Sequence, residues 1–448
     1  MRAAVGQRLR VVSVLWRSPW PLLWVAVAYS TFSTRDLEVG PIPGKFIVAV
    51  LALALWLAYR RDTQIPWRLP IIGVGVLLPF LGLTVALVRA ATNDPAQALG
   101  LRAAAEEASR FVYILLAFPL LDWARSRGSQ RDADRVWLWP IAGLALLTCL
   151  LYVAYLGGAD FDGSGQVGPL QGDIAQDPVT GWFRAFMVTQ ILFIPGFLLL
   201  FARLHANPRR PVDVALLIML LGAVTISHSR GLWLGLLAGT GTYLMLELAK
   251  NSRWARSPPA ILIVCAGLLG LLVVLSAPTI LGGVDQVARG ATSEESSSVR
   301  LEQVPKLLEG FYDNPLVGSG MGALLPSGYR RSEVVPWSFE LAYLQLLFQT
   351  GIVGMLLFAW LPVVVLRDTV RRVLADRTDQ AAATAGIAAL IGLIVSYASN
   401  PYLVTSAGTL ALAIGVTMCG SSEHHRATKP SAAQRADKSY RDPCEHRR

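Results

Sequence analysis

Apolar runs of about twenty residues, the length that crosses a bilayer, recur along almost the whole chain. They lie near residues 15–33, 43–59, 69–90, 104–125, 135–157, 181–203, 212–228, 230–249, 259–281, 339–366, 381–398 and 402–420. In lipid a helix satisfies its own backbone hydrogen bonds, whereas an open strand does not. The pattern therefore predicts an all-α integral membrane protein with about twelve transmembrane helices. Charged residues make up 16% of the chain, against roughly 25% in soluble domains, and mean hydropathy is +0.48. The net charge of +10 does not signal nucleic acid, because its distribution follows the membrane. Basic residues gather in every second connection, as in Arg60, Arg61 and Arg68; Arg125, Arg127, Arg131 and Arg135; and Arg367, Arg371, Arg372 and Arg377. By the positive-inside rule those connections and both termini are cytoplasmic.

One long polar segment interrupts the series, a loop at about 282–338 between spans nine and ten, on the external side and containing short helices. At 100° per residue, Leu301, Val304, Leu307, Leu308 and Phe311 share an apolar face. Arg300 lies inside that face, where a cation costs free energy unless an anion or a wet cavity receives it. Pro305 would kink the interior of such a helix. Residues 1–420 form the membrane domain, and 421–448 read as a basic, disordered cytoplasmic tail.

Charges at the outer ends of spans are the candidate functional groups. Glu106, Glu107 and Arg110 sit in span four, with Glu106 and Arg110 spaced for an i,i+4 ion pair and exposed to an internal cavity. Arg184 opens span six, and span seven ends in Ser227, His228, Ser229 and Arg230 at a tight turn. Glu340 stands near the start of the helix that re-enters the membrane, on the face of Leu344, Leu347 and Gly351. A carboxylate there is also what a helix N-terminus favours for structural reasons alone. A lone boundary arginine ordinarily snorkels to lipid headgroups. Arg184, Arg230 and Arg300 together predict an anion site instead, since guanidinium binds phosphate bidentately and keeps its charge. Asp160 and Asp162 form an Asp-x-Asp with no third ligand beside it, and Cys149, Cys265, Cys419 and Cys444 show no paired spacing. No metal site and no cofactor is expected.

Three features in order resemble the O-antigen ligase and O-antigen polymerase superfamily. They are Ser229-Arg230-Gly231 after an apolar span; Arg300 followed by Gly310 and the run Asn314 to Gly322 (NPLVGSGMG); and Tyr343 to Gly354 (YLQLLFQTGIVG). The resemblance covers about residues 180–360. It implies a periplasmic site in a multi-pass protein of the bacterial inner membrane. The implied reaction is metal-independent, inverting transfer of an oligosaccharide from an undecaprenyl-diphosphate donor to a glycan acceptor. By position, Arg184, Arg230 and Arg300 match arginines that hold the diphosphate, and Glu340 or His228 would take the acceptor proton. Ligases of this kind carry a histidine where this chain has Glu340, which favours a polymerase of O-antigen or exopolysaccharide over a ligase acting on lipid A core. The partners implied are the lipid-linked donor, the acceptor, membrane lipids and a chain-length regulator, without nucleic acid. A secondary transporter is the alternative of another class, but the two halves lack the internal symmetry such folds show.

Overall fold

The computed structural model describes residues 20–32, 38–39, 42–59, 65–92, 100–126, 130–159, 166–167, 170–176, 183–250, 295–325, 329, 339–375 and 381–420. Helices occupy the apolar runs that fall within them. The series begins with α1 (Trp20–Phe32), a two-residue hairpin of β1 (Glu38–Val39) and β2 (Ile42–Pro43), α2 (Gly44–Tyr59) and α3 (Arg68–Ala91). It continues with α4 (Gly100–Phe111), a 3₁₀ turn, α5 (Ala117–Ser126) and α6 (Gln130–Leu156). After a small sheet come α7 (Phe193–Ala206), α8 (Pro211–Ser227), α9 (Arg230–Lys250), α10 (Glu295–Asp313), α11 (Ala342–Ala375), α12 (Ala381–Ser399) and α13 (Ser406–Gly420). Among the described residues six helical segments are long and apolar enough to cross a membrane, and four shorter ones are apolar. The chain is a helical membrane protein. The ninth expected span, 259–281, and the tail at 421–448 lie outside the described residues.

The expectation of an all-helical chain needs correction at residues 166–187. There β3 (Gln166–Val167), β4 (Leu170–Gln176) and β5 (Phe183–Met187) form an antiparallel sheet, with Ala175 opposite Arg184 and Gly172 opposite Met187. What reads as the start of span six is thus a strand. Its alternation explains why: Phe183, Ala185 and Met187 are buried while Arg184 and Phe186 face the other way. Phe183 stacks on Tyr155 of α6 at 4.5 Å. Gln190 then turns the strand into α7, accepting the Met187 N–H and donating to the Ala185 carbonyl. A second correction concerns the long loop, whose helix α10 is nineteen residues and runs through Pro305.

The helices close on one another where side chains are smallest. A Cβ on Gly235 of α9 would stand 2.7 Å from the Gly392 carbonyl of α12, and one on Gly392 would stand 2.6 Å from the Gly235 carbonyl. Such backbone contact is how helices associate in lipid, where burial of apolar surface gives little drive. Polar contacts collect at two opposite ends. At one, Trp56 donates to Asp122, Trp67 donates to Asp368, and Arg372 lies over the Trp67 ring. The other end holds the groups described next.

Candidate active site

The turn between α8 and α9 is made by two residues, His228 and Ser229. His228 takes a left-handed backbone (φ 48°, ψ 26°), which reverses the chain in so short a space. Ser229 is buried, and its hydroxyl shares a 3.0 Å hydrogen bond with the Tyr402 hydroxyl. Tyr402 belongs to a 3₁₀ turn, Pro401–Val404, between α12 and α13. The period-two face of β5 brings Phe186 to 6.0 Å from the Tyr402 ring, and Arg184 lies over Phe186 at 5.2 Å. Arg184 is near enough to act electrostatically on the Tyr402 hydroxyl. From α4, Arg110 donates to the Val404 carbonyl at 3.0 Å and pairs with Glu106 at 2.6 Å, the i,i+4 pair its spacing predicts. Arg184 and Ser229 therefore meet at Tyr402, and Arg110 anchors the same 3₁₀ turn.

The two sequence motifs of the long loop and the re-entering helix prove to be each other's backbone partners. Helix α11 breaks at Gly351 (φ 62°, ψ −166°), a conformation that only glycine adopts without strain. The break would orphan carbonyls before it and N–H groups after it. The NPLVGSGMG segment satisfies both. Ser319 and Gly320 N–H donate to the Phe348 and Gln349 carbonyls, while Ile352 and Val353 N–H donate to the Pro315 and Leu316 carbonyls, all at 2.8–3.1 Å. The contact leaves no room for side chains. A Cβ on Gly318 (φ 74°) would overlap the Gln349 backbone, and one on Gly351 would overlap the Leu316 carbonyl.

Helix α10 is seated on the first half of α11 along a line of Gln303, Leu307 and Gly310, all buried. Leu307, Leu325, Phe339 and Phe348 make a small apolar cluster there. Arg300 lies three residues before Gln303 on the same helix, and its side chain lies outside the described residues. Glu340 is 9% exposed and sits two residues before α11 rather than in its first turn. Its backbone N–H donates to Gln303 Oε1 at 3.0 Å, and the Phe339 N–H donates to Gln345 Oε1 at 3.0 Å. The Nε2 of Gln345 in turn donates to Glu107, a carboxylate 1% exposed.

The structure thus gathers Arg110, Glu106, Arg184 and Ser229 at the Tyr402 turn, with Arg230 following Ser229 as the first residue of α9, and seats Glu340 between α10 and α11. Glu107 and Arg110, one helical turn apart on α4, join the two groups. His228 and Arg230 are exposed. Asp160 and Asp162 lie outside the described residues. Among the described residues no three His, Cys, Asp or Glu side chains gather as a metal site. Sequence reasoning named Glu107 only as one of the charges of span four, and gave no role to Gln303, Gln345, Gln349 or Tyr402. One signal was available: Gln345 and Gln349 repeat at i,i+4 on an apolar helix, and polar groups so placed seek a polar partner.

Residues 214–359, from α8 into α11, match the family model described as O-Antigen ligase. This segment, about a third of the chain, is similar to the O-antigen ligase family. No curated protein and no solved structure matches the chain. The matched ligase-family segment contains His228, Arg230, Arg300 and Glu340, and it contains both halves of the glycine-turn and broken-helix pairing. Arg184, Arg110, Glu107 and Tyr402 lie outside it and reach it through the contacts above.

Proposed function

We propose that this protein transfers an oligosaccharide from an undecaprenyl-diphosphate donor to a glycan acceptor, on the periplasmic side of the bacterial inner membrane. The observation that carries this reading is the arrangement of Arg110, Arg184 and Ser229, with Arg230 next to it, at one end of a helical fold whose segment 214–359 matches the O-antigen ligase family. Twelve spans with both termini cytoplasmic would set that end outward, by the distribution of Lys and Arg. No ATP is present there, so the donor must arrive activated, as a lipid-linked diphosphate sugar is.

In this reading the acceptor hydroxyl attacks the anomeric carbon as the bond from that carbon to the diphosphate oxygen breaks, with inversion. The proton goes to Glu340, with His228 as the next candidate, and the undecaprenyl diphosphate leaves with both phosphates. Arg184, Arg230 and Arg300 stabilise the charge that develops on the leaving group, where preorganised donors are worth most. The burial and double backbone anchoring of Glu340 suit a group that must hold its orientation. Its carboxylate in place of a histidine favours polymerisation; the description of the matched family favours the ligase reading, attachment to lipid A core.

Purified protein given radiolabelled lipid-linked oligosaccharide in excess chelator should form product without added metal. Loss of transfer on chelation, restored by a divalent ion, would overturn the metal-independent mechanism. Mass analysis of surface polysaccharide in a deletion strain separates the two products. Single repeats on lipid A core mean a missing polymerase, and long chains left on the lipid carrier mean a missing ligase.

A further inference from the structure

Glu107 is the most buried carboxylate with a mapped set of partners among the described residues, and the mechanism above does not use it. Three donors from two segments converge on it. Gly322 N–H and Gln349 Nε2 reach Oε2 at 2.6 and 2.7 Å, and Gln345 Nε2 reaches Oε1 at 2.6 Å. Gly322 ends the glycine-rich turn, while Gln345 and Gln349 lie on successive turns of α11 just before its break. One side chain of α4 therefore ties together both partners of the loop–helix pairing.

The set has a direction. Because Glu107 Oε1 accepts, Gln345 must turn its Nε2 toward α4, and so its Oε1 toward Phe339, whose N–H it accepts at 3.0 Å. An amide can present only one oxygen. The residue next to Phe339 is Glu340, whose own N–H is held by Gln303. We propose that Glu107 is a positioning residue: by fixing the amide orientation of Gln345 it anchors the Phe339–Glu340 backbone and orients the Glu340 carboxylate for proton transfer. This rests on the reading of Glu340 as base, which the test below examines separately.

The bond order makes a swap possible. In Glu107→Gln, the new Nε2 faces the Gln345 Nε2; if Gln345 flips to accept, Phe339 N–H loses its acceptor. In the double variant Glu107→Gln with Gln345→Glu, every group is satisfied again. The new amide oxygen accepts Gly322 N–H and Gln349, its Nε2 donates to the new carboxylate, and that carboxylate accepts Phe339 N–H. Each variant, with Glu340→Gln beside them, is purified and compared for thermal midpoint, binding of lipid-linked oligosaccharide, and kcat and KM of transfer. Glu107→Gln should lose about 10²-fold in kcat with donor binding kept, the scale of a small misplacement of a catalytic group. The double variant should return to within a few-fold of wild type.

A merely structural role would lower the midpoint of Glu107→Gln and leave kcat per folded molecule unchanged, which would overturn the proposal. So would a double variant that folds and binds donor yet transfers no better than Glu107→Gln. If Glu107→Gln does not fold, the double variant decides alone: near-normal kcat supports the proposal, and low kcat or failure to fold overturns it. Normal transfer by Glu340→Gln would instead remove Glu340 as base, whatever the swap shows.

Discussion

Replacing Gly351 with alanine tests whether the glycine turn and the broken helix are one structural unit. The backbone there (φ 62°, ψ −166°) costs a non-glycine residue about 1–3 kcal/mol in strain alone. The added Cβ would also overlap the Leu316 carbonyl, so the turn must move off α11. Four backbone hydrogen bonds span that contact. Each contributes about 1 kcal/mol net, and leaving its groups buried and unpaired costs more. Losing two of the four and adding the strain gives about 3–5 kcal/mol. That is a large share of the roughly 5–15 kcal/mol by which proteins are stable. Gly241 of α9 is the control, since a Cβ there meets nothing within 4 Å; Gly241→Ala should stay within about 1 kcal/mol of wild type. The assay is thermal unfolding in detergent, read as monodisperse protein remaining after heating. A Gly351→Ala midpoint equal to that of Gly241→Ala would refute the pairing argument.

Three further predictions bear on chemistry and topology. Glu340→Gln should lower transfer by about 10²–10⁴-fold, the usual size of general-base removal, with donor binding intact; Arg300→Lys should fail at donor binding, because a point charge does not reproduce a bidentate fork. Near-normal transfer by Glu340→Gln would pass the role of base to His228. Cysteines placed at Ser296 and Asp162 should react with an impermeant thiol reagent on intact spheroplasts while one at Ser129 should not, and labelling at 129 would reverse the orientation.

Helix positions were readable because apolar runs of bilayer length leave the backbone few other choices. The same reasoning failed at Phe183–Met187, where five residues of an apolar run became a strand. A run that is apolar on both faces of its sequence carries no period to separate strand from helix, and the arginine at its second position was the only hint of alternation. Arg110 with Glu106 was legible from i,i+4 spacing, a local relation. Tyr402 with Ser229, and Glu107 with Gly322, Gln345 and Gln349, were not. Those partners lie more than a hundred residues apart, and nothing in a single sequence couples them. The glycine motifs were visible as patterns, but their reason was not: each supplies the other's missing backbone partners.

The glycine contact between α9 and α12 has a consequence for the order of assembly. Roughly 150 residues of chain separate Gly235 from Gly392, which at about 5–20 residues per second takes on the order of ten seconds to synthesise. Through that interval Gly235 and Gly239 of α9 have Ile194 and Leu198 of α7 beside them, but the backbone they meet on α12 does not yet exist. The nascent protein therefore passes through a stage in which a membrane-inserted helix stands open to any neighbour with a matching small-residue face.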